Sequence, residues 1–415
     1  VTGSPGPGGA GRHWLWYLVG AAVLTQTALN LVRPVTSYLL LELGADAGVI
    51  GLTTAAYALL PVVAVMWLGR LAERTRRLSR LMLAAGAVLA AGCALLGLAA
   101  SIPVVVLASV VLGCGHLLFT IAGQSSVARY SPPEALDRGF GWFTAAFAFG
   151  QFAGPLLGGL LLGSALAPGE RLEHIAGAMW LGAGLSLLMV PLMIPLLRAQ
   201  RPRRGAGSDA GASAATAGAG PERAAGQEKP TAWRILRRPG IPSHMAASLA
   251  LLAMADLLIA FLPLVGEERG VSPMWVGVLL AIRAGASIVS RVLLGWLVAR
   301  LGRPLLVTLS LLGAGTAFVL VPPMLAQLIV AAVLMAIGGF FLGLGQPLTM
   351  TLVTKDVPGS WRSAALALRL MGNRVGQVVL PLAAGALAAP LGPAGAIWFG
   401  CGLLAICGTE KLLRR

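Results

Sequence analysis

The sequence predicts an all-α membrane protein: twelve transmembrane helices arranged as two pseudo-symmetric six-helix bundles. Three observations predict it. The 415 residues are 57% hydrophobic and only 11% charged, too little charge to cover a water-soluble surface. The apolar residues fall in blocks of roughly 18–28, long enough to cross a hydrocarbon core of ~30 Å as helices. The two halves of the chain also repeat each other at a fixed offset.

Backbone polar groups in lipid must be satisfied within their own segment, so helix is the only tenable reading of such blocks. The spans fall at 14–41, 47–69, 80–99, 103–127, 139–162 and 174–197, then at 241–265, 273–299, 304–322, 325–353, 361–388 and 392–408. The first is too long for a signal-peptide core and eleven follow it, so no cleaved signal is expected, although the sequence starts at Val1 rather than Met. The chain thus divides into an N-terminal tail (1–13), a first bundle (14–197), a linker (198–240), a second bundle (241–408) and a C-terminal tail (409–415). The linker core, Gly205 to Gly226, is rich in Gly, Ala and Ser and reads as a flexible tether, with a short interfacial helix near Trp233 to Arg238.

Charge fixes the orientation. With the N-terminus inside and Arg80 and Arg362, at the cytoplasmic ends of their spans, counted as cytoplasmic, 24 of the 31 Lys and Arg fall in cytoplasmic segments, two (Arg171, Arg269) in external loops and five within spans. This positive-inside asymmetry predicts a multi-pass inner (plasma) membrane protein with both termini cytoplasmic. It also explains the net charge of +16 without nucleic acid, which would need a basic soluble domain. The four cysteines lie inside spans and show no metal-ligand spacing, so no metal is expected. No phosphate loop or nucleophile–base set occurs, so neither enzymatic activity nor a cofactor is expected. The expected partners are protons, a small-molecule substrate and the bilayer, with the chain acting as a monomer.

A shift of 226 positions brings landmarks of the first half onto the second. Gly44 and Gly51 land on Gly270 and Gly277; Gly69, Leu71, Arg74 and Arg77 on Gly295, Leu297, Arg300 and Arg303; Gly150, Gln151, Pro155 and Gly159 on Gly376, Gln377, Pro381 and Gly385. Gln124 matches Gln346 after a small gap. Parallel six-helix repeats imply two bundles related by an axis along the membrane normal, with a binding site between them near the midplane.

Ionisable groups inside spans are costly and mark candidate sites. Of 15 acids only Asp256, in the seventh span, lies well inside one. A carboxyl in low dielectric can load and release a proton near neutral pH, which makes Asp256 the candidate proton carrier; a structural ion pair is the alternative. Its repeat counterpart is Asn30. Polar stripes at helical spacing mark cavity-facing helix faces. They comprise Gln26, Asn30, Arg33 and Ser37 in the first span, His116, Thr120 and Gln124 in the fourth, Arg283, Ser287 and Ser290 in the eighth, and Arg369, Asn373 and Gln377 with Arg374 in the eleventh. Arg33 sits far enough along its span that snorkelling to the interface is an equal alternative. His116 reads more readily as a packing residue than a proton relay, and Gln124 and Gln346 either bind substrate or bond across helices. Five span arginines against one acid make the interior positive, suited to an anionic or zwitterionic substrate.

Two motifs carry a resemblance. Gly69-Arg70-Leu71-Ala72-Glu73-Arg74-Thr75-Arg76-Arg77, echoed by Gly295, Arg300 and Arg303, resembles the loop signature of the major facilitator superfamily, with Glu73 for the usual Asp, Arg76 for the usual Gly, and Ala299 at the second acid. The fifth span, with Gly141, Gly150, Gly154-Pro155 and Gly158-Gly159, resembles the antiporter signature of that family's twelve-helix drug–proton exchangers. Glycines at that spacing let helices pack closely and Pro155 permits a kink. The resemblance implies the major facilitator fold, alternating access, and a cytoplasmic gate formed by the loop motif, resting mainly on Glu73. It implies proton-coupled efflux of a small amphipathic or anionic compound, with proton-coupled uptake as the alternative and a transport-dead sensor as a more distant one. The arginine that some exporters carry in the fourth span is absent; Ser109 stands near its place.

Overall fold

The computed structural model describes residues 13–75, 78–131, 135–163, 170–199, 231–358 and 361–413. Its helices are α1 (Trp14–Glu42), α2 (Ala47–Arg74), α3 (Leu78–Gly97), α4 (Ile102–Tyr130), α5 (Leu136–Leu162), α6 (Glu170–Ala199), α7 (Ala232–Leu236), α8 (Ile241–Glu268), α9 (Pro273–Leu301), α10 (Arg303–Val319), α11 (Val321–Met324), α12 (Leu328–Lys355), α13 (Arg362–Leu391) and α14 (Pro393–Leu413). Among the described residues twelve spans are long and apolar enough to cross a membrane, the ninth (Arg303–Met324) being α10 and α11 together. Their order reproduces the predicted spans, with two local differences. The ninth span breaks at Leu320, where Pro322 and Pro323 start a separate turn, α11. The last helix runs on to Leu413 because its polar end is partnered: Glu410 accepts from Ser243 Oγ at 2.5 Å, and Lys411 Nζ lies 2.7 Å from His244 Nδ1.

An even number of crossings returns the chain to the face where it began. That face is called the terminal face here, and the opposite one the distal face. α1–α6 form one bundle and α8–α14 the other, while α7 docks on the second: Ile235 is buried with Ile241, Val353 and Ala365, and Arg238 stacks over Trp361 at 5.3 Å. A short helix is therefore present near Trp233 to Arg238, as α7 (Ala232–Leu236). Residues 200–230, with most of the linker, lie outside the described residues, as do most of the N-terminal tail and the last two residues.

The bundles meet through two crossings near the distal face. α2 crosses α13 where Gly51 faces Gly385, and α9 crosses α5 where Gly277 faces Gly159. A Cβ at position 51 would lie 2.5 Å from the Pro381 carbonyl oxygen and 3.0 Å from Gly385 Cα, and one at position 277 would meet the Pro155 carbonyl oxygen and Gly159 Cα. Gly277 and Gly385 stand 226 positions after Gly51 and Gly159, and Pro381 the same distance after Pro155. The sequence repeat is thus a two-fold repetition of one backbone-on-backbone contact. Only a residue without a side chain permits that approach. The terminal halves of the same helices part instead: Gly141, Gly295 and Gly372 have nothing within 4 Å of a built Cβ. Val63, Trp67, Val292 and Leu370 are exposed there.

Candidate functional site

The midplane of the seam is held by one carboxylate. Asp256 of α8, 6% exposed, accepts from Arg33 Nη2 of α1 at 2.8 Å and from Gln377 Nε2 of α13 at 2.8 Å. Arg33 therefore does not reach for the interface; its guanidinium turns inward and joins the bundles. It also lies 4.8 Å over the ring of Tyr57 in α2, whose hydroxyl meets His116 Nδ1 of α4 at 2.5 Å. Arg374 donates to Gln377 Oε1 at 3.1 Å. A continuous polar chain thus runs His116–Tyr57–Arg33–Asp256–Gln377–Arg374 through five helices. Arg283 of α9 is 3% exposed and within electrostatic range of Asp256 and Arg33.

The bundles stay joined from this chain to the distal face. Ser37 Oγ donates to the Ala260 carbonyl at 2.9 Å, and Met274 N–H donates to the Gly163 carbonyl at 3.3 Å. At the distal rim Arg171 pairs with Glu267 of the second bundle and, at 3.3 Å, with Glu42, while its guanidinium lies 5.1 Å over Tyr38. A cavity in this distal half is lined by Arg33, Thr53, Tyr57, Ser109 and Ile259 among others. The hydroxyls of Thr53 and Ser109 donate to carbonyls of their own helices, at Val49 and Val105, so their lone pairs remain free.

Other predicted cavity residues gather elsewhere. Arg369 donates to Gln346 Oε1 at 2.6 Å and to Thr349, Gln346 Nε2 donates to the Ser248 carbonyl at 2.8 Å, and Asn373 bonds Ser248. That group ties α8, α12 and α13 within the second bundle. Asn30 Nδ2 and Thr120 Oγ1 bond the carbonyls of Gln26 and His116 on their own helices. Gln26 is buried with its amide nitrogen unpartnered. Gln124 is exposed, unlike Gln346, so the matched pair does not share an environment. Tyr57 was not among the predicted site residues. The signal was available, because the offset of 226 places it opposite Arg283.

The model of the Major Facilitator Superfamily matches residues 18–368. The chain belongs to the major facilitator superfamily. It is accordingly a membrane transporter, and its helical order and two-fold crossings are those of a major facilitator fold. No curated protein matches the chain in sequence. Among solved structures it is similar to a bacterial homolog of the human lysosomal transporter Spinster in its inward-facing, unoccupied conformation (18% identity, 97% of each chain, TM-score 0.67). It is also similar to a point mutant of the nucleoside transporter NupG (13% identity, 96% of this chain and 99% of that one, TM-score 0.72) and to a D-xylose–proton symporter (13%, 96% and 97%, TM-score 0.71). These likenesses establish the fold.

Within this major facilitator chain the fifth-span signature has a definite packing role. Gly150 and Gly154 rest on the α1 backbone at Gln26–Thr27 and Asn30–Leu31, and Gly158 lies against Leu31 and Val35. These glycines seat α5 on α1 inside one bundle; Gly159 alone reaches the partner bundle, and Gly141 is open. α5 continues as one helix through Pro155. Of the loop signature, α2 extends through Gly69 to Arg74, but the environments of Gly69, Glu73 and Arg74 lie outside the description, as does Arg77. In the second copy Arg300 stacks over Trp296 of its own helix at 4.6 Å, Gly295 is open, and Arg303 begins α10.

Proposed function

We propose that the chain is a secondary active transporter that works by alternating access and couples a small anionic or amphipathic compound to protons through Asp256. One observation carries this reading: the carboxylate at the midplane is itself a bond between the bundles, so its charge and the state of the seam are linked. A proton on Asp256 removes the counter-charge that Arg33 holds across the seam, and the pair weakens. The charge asymmetry of the loops supports a cytoplasmic terminal face, which makes the present arrangement distally closed and parted toward the cytoplasm.

The sign of the charges supports carrying proton and substrate together. Neutralising Asp256 frees Arg33 for a second anion, so proton and anion favour each other's binding and travel in one direction, which is uptake under an inward proton gradient. A cationic substrate would compete with the proton instead, as exchange requires. Efflux by exchange is the second reading, supported by the glycine–proline pattern of α5. That pattern packs α5 on α1, a role that serves either direction.

The test uses purified protein in liposomes with an imposed pH gradient and a panel of labelled short-chain carboxylates and phosphorylated metabolites. At least one compound should accumulate on the alkaline side. Asp256→Asn should abolish that gradient-driven accumulation while keeping substrate counterflow. Gradient-driven accumulation that survives in Asp256→Asn removes Asp256 from the mechanism, and accumulation on the acidic side selects exchange.

A further inference from the structure

We infer that Arg283, with Arg374, forms a binding subsite for the anionic group of the substrate, an oxyanion of the carboxylate, sulfate or phosphate class. Arg283 sits ten residues into α9, near the depth of Asp256. Gly339 of α12 packs on its main chain: a Cβ there would lie 2.8 Å from Arg283 Cα. Ser287, one turn on, ties α9 to the same glycine by donating to its carbonyl at 2.7 Å. α12 therefore closes one side of Arg283, and its charge neighbours are Asp256, Arg291 of its own helix and Arg33.

The side chain is 3% exposed, and its Nε has no hydrogen-bond partner. No carboxylate is paired with it among the described residues. A buried guanidinium in this condition leaves donors unsatisfied at a cost, and native proteins rarely keep such a group without a ligand, ion or water to meet it. Asp256 lies within electrostatic range of Arg283, but its hydrogen bonds are to Arg33 and Gln377. Arg374, on the other flank of Asp256, donates to the neutral Gln377 Oε1. Among the described residues, two guanidiniums thus flank the proton site without counter-ions of their own. The planar fork of each matches an oxyanion in two-point contact. A bound anion would sit beside Asp256, which is where it would feel the charge of the carboxyl.

This subsite rests on the transporter reading above, and its test fails separately from that reading. The melting temperature of the purified full-length protein is measured with phosphate, sulfate and succinate against chloride at matched ionic strength. At least one oxyanion should raise it by several degrees. Arg283→Gln should weaken that oxyanion's apparent affinity at least tenfold, Arg283→Lys should keep part of it, and Arg374→Gln should weaken it. Arg269→Gln, in an exposed distal loop, should leave it unchanged. Asp256→Asn should keep or strengthen the shift while losing proton-driven accumulation, so the subsite and the proton assignment are judged apart. Three silent oxyanions, or an equal shift in Arg283→Gln, overturn the proposal; if Arg283→Gln does not fold, an unweakened shift in Arg374→Gln together with Arg283→Lys does the same.

Discussion

Arg33 and Asp256 are 223 residues apart in sequence and meet at 2.8 Å across the seam between the two bundles. Both side chains are largely buried, at 16% and 9% exposure. Removing one partner of such a pair costs about 3–5 kcal/mol in the state that buries the other. Opening the seam to water relieves that cost. Arg33→Gln should therefore shift the protein toward a distally open form. Spin labels at Leu98 and Arg269, one on each bundle near the distal face, should show a new longer distance by pulsed electron resonance. An unchanged distance distribution would show that the pair does not hold the seam.

The crossing glycines predict a sharp contrast. Gly51→Ala places a methyl 2.5 Å from the Pro381 carbonyl oxygen, and the helices must separate. Overpacking of this kind costs about 1–3 kcal/mol. Distal closure should be impaired and transport reduced about tenfold, in line with ~1.4 kcal/mol per factor of ten. Gly159→Ala should do the same at the second crossing. Gly372→Ala, with nothing near its Cβ, should transport within about twofold of the parent by the same scale. Equal behaviour of the three variants would remove the special role of the crossings.

Tyr57 makes two separable contributions. Tyr57→Phe loses the 2.5 Å contact with His116 and should lower stability by about 1 kcal/mol while keeping the ring beneath Arg33. Tyr57→Ala loses both and should be clearly worse in melting temperature and in transport. If the Phe variant is as impaired as the Ala variant, the ring under Arg33 contributes nothing.

The distal rim is a weaker fastening. Arg171 and Glu267 are partly exposed, and exposed pairs contribute about 0–1 kcal/mol. Arg171→Gln should widen the same spin-label distance slightly in dilute salt. The difference from the parent should vanish near 1 M salt, where the screening length is ~3 Å. Persistence at high salt would mean that Arg171 acts through packing on Tyr38 rather than charge.

Much of the architecture was legible because lipid leaves few choices. Block length gave the helices, and the glycine offset gave the repeat of two bundles; that its glycines meet in two crossings of one geometry emerged only from the structure. The site was legible in part. Asp256 stood out as the one acid deep in a span, and Arg33 stood among the polar stripe of its helix. Their pairing was not visible, since the repeat places Asn30, not Arg33, opposite Asp256, and pairing across the seam depends on helix rotation. Tyr57 escaped because an aromatic in an apolar block reads as packing until its hydroxyl is seen against His116. Gln124 and Gln346 occupy matched positions in different environments: Gln124 is exposed, while Gln346 bonds across helices to Ser248 and Arg369. Duplication preserves backbone contacts more faithfully than side-chain partnerships, because a carbonyl against a glycine tolerates no substitute.

The paired glycine contacts also act as a fulcrum. Two pivots related by a two-fold axis define one line, and a rigid body tilting about that line must lift one rim as it lowers the other. A continuous pore would require both pivots to come apart together. In the alternating-access cycle proposed above, the same feature would guard the membrane against a short circuit of its proton gradient.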